Sequence, residues 1–230
     1  VILLLLGLMA TGGLYSLLAP KSAQAAVATA GDLTVGRKLF LANCATCHGL
    51  NGEGTKAGPS LAGVGAAAVD FQVGTGRMPL AGPGVQAPRS DTIKFTDEQI
   101  ASLAAYVATL GPGPAIPDEQ YTAGDGNIAR GNELFKVNCA MCHNFAGSGG
   151  ALTRGKYAPS LHKISGKHVY EALVTGPQSM PVFNDTNLSP TDKNDIISYL
   201  HELDKGQNPG GLSLGNLGPV SEGMFIWVFG

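Results

Sequence analysis

Charge is scarce in this chain. Only 14% of its 230 residues are Asp, Glu, Lys or Arg, and the formal net charge is −2. A chain with no basic excess lacks the electrostatic footprint of a nucleic-acid binder, so no nucleic acid is expected as a partner. Residues 31–110 hold six acids and six bases and residues 131–205 hold seven of each. The acidic surplus falls mainly between these stretches, at Asp118, Glu119 and Asp125. Runs of strand-like alternation are also wanting, while Gly occurs 33 times and Pro 14 times. Much of the chain should therefore be turn and loop, which leaves few residues for a side-chain core. Cysteine occurs only four times, in two pairs.

Those pairs carry the chemistry. Cys44, Ala45, Thr46, Cys47, His48 and Cys139, Ala140, Met141, Cys142, His143 both read CxxCH. A Cys₄ zinc site or a redox dithiol would use the cysteines, but neither needs the histidine. A redox CxxC also belongs in a βαβ setting, which this sequence does not offer. Two thiols three positions apart can instead add to the two vinyl groups of one haem, with the adjacent histidine facing the iron. Two covalently bound haem c groups are expected, attached through Cys44 and Cys47 and through Cys139 and Cys142. They would supply the missing core and leave no cysteine for a disulfide.

Residues 1–19 carry no charge and are dominated by leucine, long enough to span a bilayer. A small-residue stretch at Ala23, Gln24, Ala25 offers a signal-peptide cleavage site as the alternative. The expectation carried forward is a transmembrane anchor at 1–20. A short helix over 36–43 should feed the first CxxCH, another is expected over 69–73, and a third begins after Thr96. There Thr96 and Gln99 form a capping box, and Ile100, Leu103, Ala104 and Val107 repeat on one face. Residues 111–129 read as a Gly- and Pro-rich linker.

Past the linker the pattern recurs. Gly36, Leu39, Phe40 and Asn43 match Gly131, Leu134, Phe135 and Asn138. Pro59, Ser60, Leu61 match Pro159, Ser160, Leu161, and Met78, Pro79 match Met180, Pro181. A closing helix over 191–203 places Tyr199 where Tyr106 stands. The divisions expected are 31–110, a linker 111–129, 130–205, a linker 206–219, and 220–230, where Met224 to Phe229 begin an apolar run read as a truncated C-terminal transmembrane helix.

A haem iron held by His48 or His143 has a sixth position to fill. Of the five methionines, Met9 lies in the anchor, Met141 inside a CxxCH loop and Met224 in the terminal run. Met78 and Met180 remain, each downstream of its own CxxCH and each followed by a proline that fixes the presenting turn. His162, His168 and His201 have no counterparts in the first half and read as surface or structural residues. Pro59 and Pro159 are placed to accept the imidazole Nδ1 proton with a backbone carbonyl.

On these motifs each half resembles a class I cytochrome c, mainly α in fold. The whole arrangement resembles the dihaem cytochrome c subunit of the actinobacterial cytochrome bcc complex. That resemblance implies partners: a cytochrome b subunit, a Rieske iron-sulfur subunit that has oxidised menaquinol, and the copper-binding subunit of a haem-copper oxidase. It further implies a place in the cell membrane with the haem domains on the extracytoplasmic side, and a role as the electron-transfer subunit of a quinol:cytochrome-c reductase. The alternatives are the cytochrome subunit of another membrane oxidase or dehydrogenase, or a dihaem peroxidase, which would need an open sixth position at one iron.

Overall fold

The repeat in the sequence is a repeat in the backbone. In the computed structural model, which describes residues 2–18, 30–80, 82, 84–206 and 219–230, helix α1 (Ile2–Leu18) precedes a first set, α2 (Ala30–Asn43), α3 (Ala45–His48), α4 (Gly65–Gly74) and α5 (Asp97–Ala108). A second set follows: α6 (Ile128–Asn138), α7 (Ala140–His143), α8 (Gly166–Thr175) and α9 (Pro190–Asp204), then α10 (Pro219–Phe229). A small antiparallel ladder, β1 (Gly150–Ala151) on β2 (Tyr157–Ala158), pairs Gly150 with Ala158 and Ala151 with Tyr157.

In each lobe the first helix crosses the last at a glycine. A Cβ at Gly36 on α2 would collide with the Ser102 carbonyl on α5, and one at Gly131 on α6 with the Asp195 carbonyl on α9. Only glycine allows so close a backbone approach. One turn beyond each crossing a fully buried phenylalanine, Phe40 or Phe135, fills the angle. Phe40 packs with Leu103 and Val107, while Phe135 packs with Leu173, Ile196, Ile197 and Leu200. Burying each ring contributes roughly 1.5–3 kcal/mol, a large share for cores this small.

The expected helix ends hold at α5, where the Thr96 and Gln99 capping box forms as read. Helix α9 begins at Pro190, a residue earlier than expected, because Ser189 caps it in a box with Asp192 and Pro190 suits the first helical position. Helix α4 starts four residues before the expected 69–73. Its early residues are glycine and alanine, which show no apolar period, and no side chain caps it. The Pro114 carbonyl accepts from Ala67 N–H at 3.1 Å instead, satisfying a donor of the first turn from the 111–129 segment. That segment is fastened at its other end too. Gly124 N–H donates to Asn194 Oδ1, Gly126 N–H to Ser198 Oγ and Asn127 N–H to Asp195 Oδ1, all on α9.

The two lobes meet where α4 packs on α8. A second tie is Gln86, whose amide donates to the Tyr157 carbonyl at 2.8 Å and accepts from Tyr157 N–H at 2.9 Å.

Among the described residues no helix is long and apolar enough to cross a membrane. Helix α1 has 17 residues and α10 has 11, against the roughly 20 that a span needs. Val1, Ala19 and Pro20 of the expected anchor, and 207–218 of the second linker, lie outside the described residues.

Candidate haem-binding sites

A tight turn sets each cysteine pair. Cys44 N–H ends α2 by donating to Phe40 O, and Cys47 and His48 N–H both return to Cys44 O. Cys139, Cys142 and His143 repeat these bonds around Phe135 O and Cys139 O at the same lengths, 2.8, 3.1 and 2.9 Å. Cysteines three apart on such a turn share a face. The next residue needs positive φ: Gly49 at 84° in the first lobe and Asn144 at 66° in the second, asparagine being among the non-glycine residues that tolerate it. The histidine carbonyl then accepts from Gly54 N–H at 2.7 Å or Gly149 N–H at 2.8 Å, which closes the loop.

His48 Nδ1–H donates to the Pro59 carbonyl at 2.7 Å, and His143 Nδ1–H to the Pro159 carbonyl at 2.9 Å. A carbonyl can only accept, so the proton sits on Nδ1 and the Nε2 lone pair is left for a metal. The two loops differ in length, with 11 residues from histidine to proline in the first lobe and 16 in the second. The extra residues of the second lobe include the β1–β2 ladder, and the proline carbonyl reaches the same nitrogen. Burial holds His143 below the ordinary imidazole value, which favours the neutral, ligating ring. Burial, with Cys142 adding to it, pushes the Cys139 thiol up to about 12, and Cys44 is raised for the same reason. Cys47 is exposed and Cys142 half-buried.

In the first lobe Cys44, His48, Pro59 and Met78 all open on one cavity of about 570 Å³, walled otherwise mainly by apolar side chains such as Phe40, Val69 and Leu103. The residues present fit haem c, a largely apolar macrocycle that Cys44 and Cys47 would hold through two thioether bonds, with His48 and Met78 able to offer ligands to its iron. In the second lobe Met180 is half-buried against a cluster that includes Cys139, Leu134, Phe135 and Leu173. The other methionines face solvent: Met9 is 78% exposed, Met141 92% and Met224 62%.

The histidine rivals have other partners. His162 Nδ1 meets Asp204 Oδ1 at 2.9 Å, the His201 ring lies against Gly124, and His168 faces Asp70 and Glu171. Sequence reasoning missed one wall. Val174, Thr175, Gly176, Pro177, Gln178 and Val182, from the turn of the second lobe that leads to and past Met180, line the cavity of the first. A contact between lobes leaves no periodic trace in either.

Comparison with known proteins agrees with this geometry. A family profile described as Cytochrome c matches residues 33–111, and one described as Cytochrome C oxidase, cbb3-type, subunit III matches residues 126–200. The chain is 46% identical to the cytochrome bc1 complex cytochrome c subunit of Mycobacterium tuberculosis, covering 100% of this chain and 85% of that protein. It is 44% identical to the subunit of that name from Corynebacterium efficiens, over 99% of this chain and 82% of that protein. A cbb3-type cytochrome c oxidase subunit CcoP from Azospirillum sp. is 29% identical over 75% of this chain and 62% of that protein. With two helical lobes, two CxxCH turns and relatives of this identity over its full length, the chain belongs to the cytochrome c subunits of the cytochrome bc1 complex.

Proposed function

We propose that the chain holds two haem c groups and carries electrons from the Rieske iron-sulfur protein of a menaquinol-oxidising complex to the copper-binding subunit of a haem-copper oxidase. Cys44 and Cys47 would hold one haem, with His48 and Met78 offering ligands to its iron. Cys139 and Cys142 would hold the other, with His143 and Met180. The observation that carries this reading is the first-lobe cavity, where the histidine oriented by Pro59 and the half-buried Met78 open on one largely apolar space. Haem iron held by histidine and methionine supplies one-electron exchange at a raised potential. The chain supplies the rest: carbonyls that orient the imidazoles, methionines that would complete the iron's ligands, and largely apolar walls that limit access of water.

The lobes, taken as 31–110 and 130–205, carry formal charges of 0 and +1 and offer little long-range steering. The 111–129 segment, fastened to both lobes, keeps them together, so electron passage between them needs no diffusional encounter. The anchor over 1–20 and the run from 220 on would hold both lobes at the extracytoplasmic face of the cell membrane, beside cytochrome b, as part of a quinol:cytochrome-c reductase. A second reading, the cytochrome subunit of a cbb3-type oxidase, rests on the profile match to 126–200.

The test is to purify the assembly from its native membrane and add menaquinol with the oxidase blocked. Reduction of both haems on this chain, lost when the Rieske protein is removed, supports the proposal. Co-purification with a cbb3-type catalytic subunit and no Rieske cluster would favour the second reading.

A further inference from the structure

Between α4 of the first lobe and α8 of the second lies a group of ionisable side chains that the haem sites do not use. Asp70 is 7% exposed and Glu171 is fully buried. His168 and Glu171 stand three residues apart on α8 and so share one face, opposite Asp70 on α4. His168 Nε2 lies 3.7 Å from Asp70 Oδ2 and 4.0 Å from Glu171 Oε2, and the three donor atoms all fall within 4.8 Å of one another. The edge-on ring of Phe71, 6.1 Å away at 85°, sets the imidazole plane.

Neither oxygen of Glu171 accepts a hydrogen bond, although both are buried. A buried carboxylate without a partner is costly, so something must answer it. Lys167 does not: its ammonium sits on Asp70 Oδ2 at 2.7 Å, and its side chain is 45% exposed. A proton shared by the two carboxyl groups is one solution, but it leaves the His168 nitrogen idle. A cation uses all three side chains.

The geometry points to Asp70, His168 and Glu171 as a site for one divalent transition-metal ion of the zinc class, shared by the two lobes. One imidazole nitrogen and two carboxylate oxygens, with water as a fourth ligand, form a tetrahedral set. Calcium and magnesium prefer oxygen alone and more ligands. Bonds of about 2.0–2.1 Å place tetrahedral donors about 3.3 Å apart. The observed 3.7 and 4.0 Å are longer than that, and a bound ion would draw the three donors together. Lys167 is the built-in competitor, since it neutralises Asp70 in the metal's absence. The ion would staple α4 to α8, the helices whose Gln72, Val73, Val174 and Thr175 also line the first haem cavity.

The test uses the full chain with both haems attached, so that His48 and His143 are engaged. The protein is stripped with chelator, given Zn²⁺ alone, dialysed, and assayed for zinc and iron by mass spectrometry. One zinc per two irons is expected. Glu171→Gln and Asp70→Asn should each weaken retention at least tenfold with the haem spectrum unchanged, since even outer-shell changes cost 10–100-fold. Lys167→Gln should strengthen retention. His168→Gln gives a second reading should either carboxylate variant lose haem. No retained zinc in the wild type, retention indifferent to all these changes, or retention lost only in His162→Ala would overturn the site.

Discussion

The ring of Phe40 meets the ring of Tyr106 with centroids 5.3 Å apart and planes at 51°, and Phe135 meets Tyr199 at 5.4 Å and the same 51°. Each pair joins the helix that leads into a CxxCH turn to the helix that closes its lobe, so core packing and haem placement share a residue. Phe40 also lines the first cavity. Phe40→Ala should therefore destabilise the first lobe by about 3–5 kcal/mol and loosen its haem. Denaturant unfolding followed by haem absorption would show an early transition carrying half the haem signal; a single unchanged transition would contradict it.

Gly36 and Gly131 test the helix crossings. A Cβ at either runs into the carbonyl of the facing helix, Ser102 or Asp195, and backbone yields less readily than a side chain. Gly36→Ala and Gly131→Ala should each cost about 1–3 kcal/mol by overpacking. Gly82→Ala, where nothing lies within 4 Å of the added methyl, should leave the denaturation midpoint unchanged.

Ser189 and Asp192 give a pH signature. The Ser189 hydroxyl, donating to Asp192 at 2.7 Å, holds that carboxyl below its ordinary value of 3.8. A depressed folded value means the unfolded chain binds the proton more readily, so stability rises with pH across the window between the two values. The contribution of Asp192 is present above pH 3.8 and is lost as pH falls through the folded value. Ser189→Ala should cost about 1 kcal/mol at neutral pH. The gap in melting temperature between wild type and Asp192→Asn should shrink on acidification; a gap that widened would reverse the assignment.

Met78 and Met180 test the axial ligands. Removing either sulfur should open one iron to carbon monoxide. Met78→Ala and Met180→Ala should each bind about one carbon monoxide per chain, and the double variant about two, when titrated in the reduced state. If Met180→Ala binds none, and His162→Ala or His168→Ala does, the second site is wrongly assigned.

The legible parts of this protein were local and repeated. Cys44 to His48 recurs as Cys139 to His143, and Thr96 announces α5 through its own side chain. The start of α4 was not legible, because its cap is the Pro114 carbonyl, far along the chain. The facing of Asp70 and Glu171 was hidden for a related reason: each is an ordinary charged residue on a helix until two lobes bring them together. The wall that the turn around Gly176 lends to the first cavity was equally unreadable.

A continuous electron bridge through the two lobes, as proposed, would make a diffusing carrier unnecessary. The most direct measurement is quinol-driven oxygen consumption by the intact assembly, with both haems present and no soluble cytochrome c added, as ionic strength is raised. A tethered bridge between lobes of little net charge predicts full activity with only weak dependence on salt, since no charged encounter limits the rate. An absolute requirement for added soluble cytochrome c would contradict it.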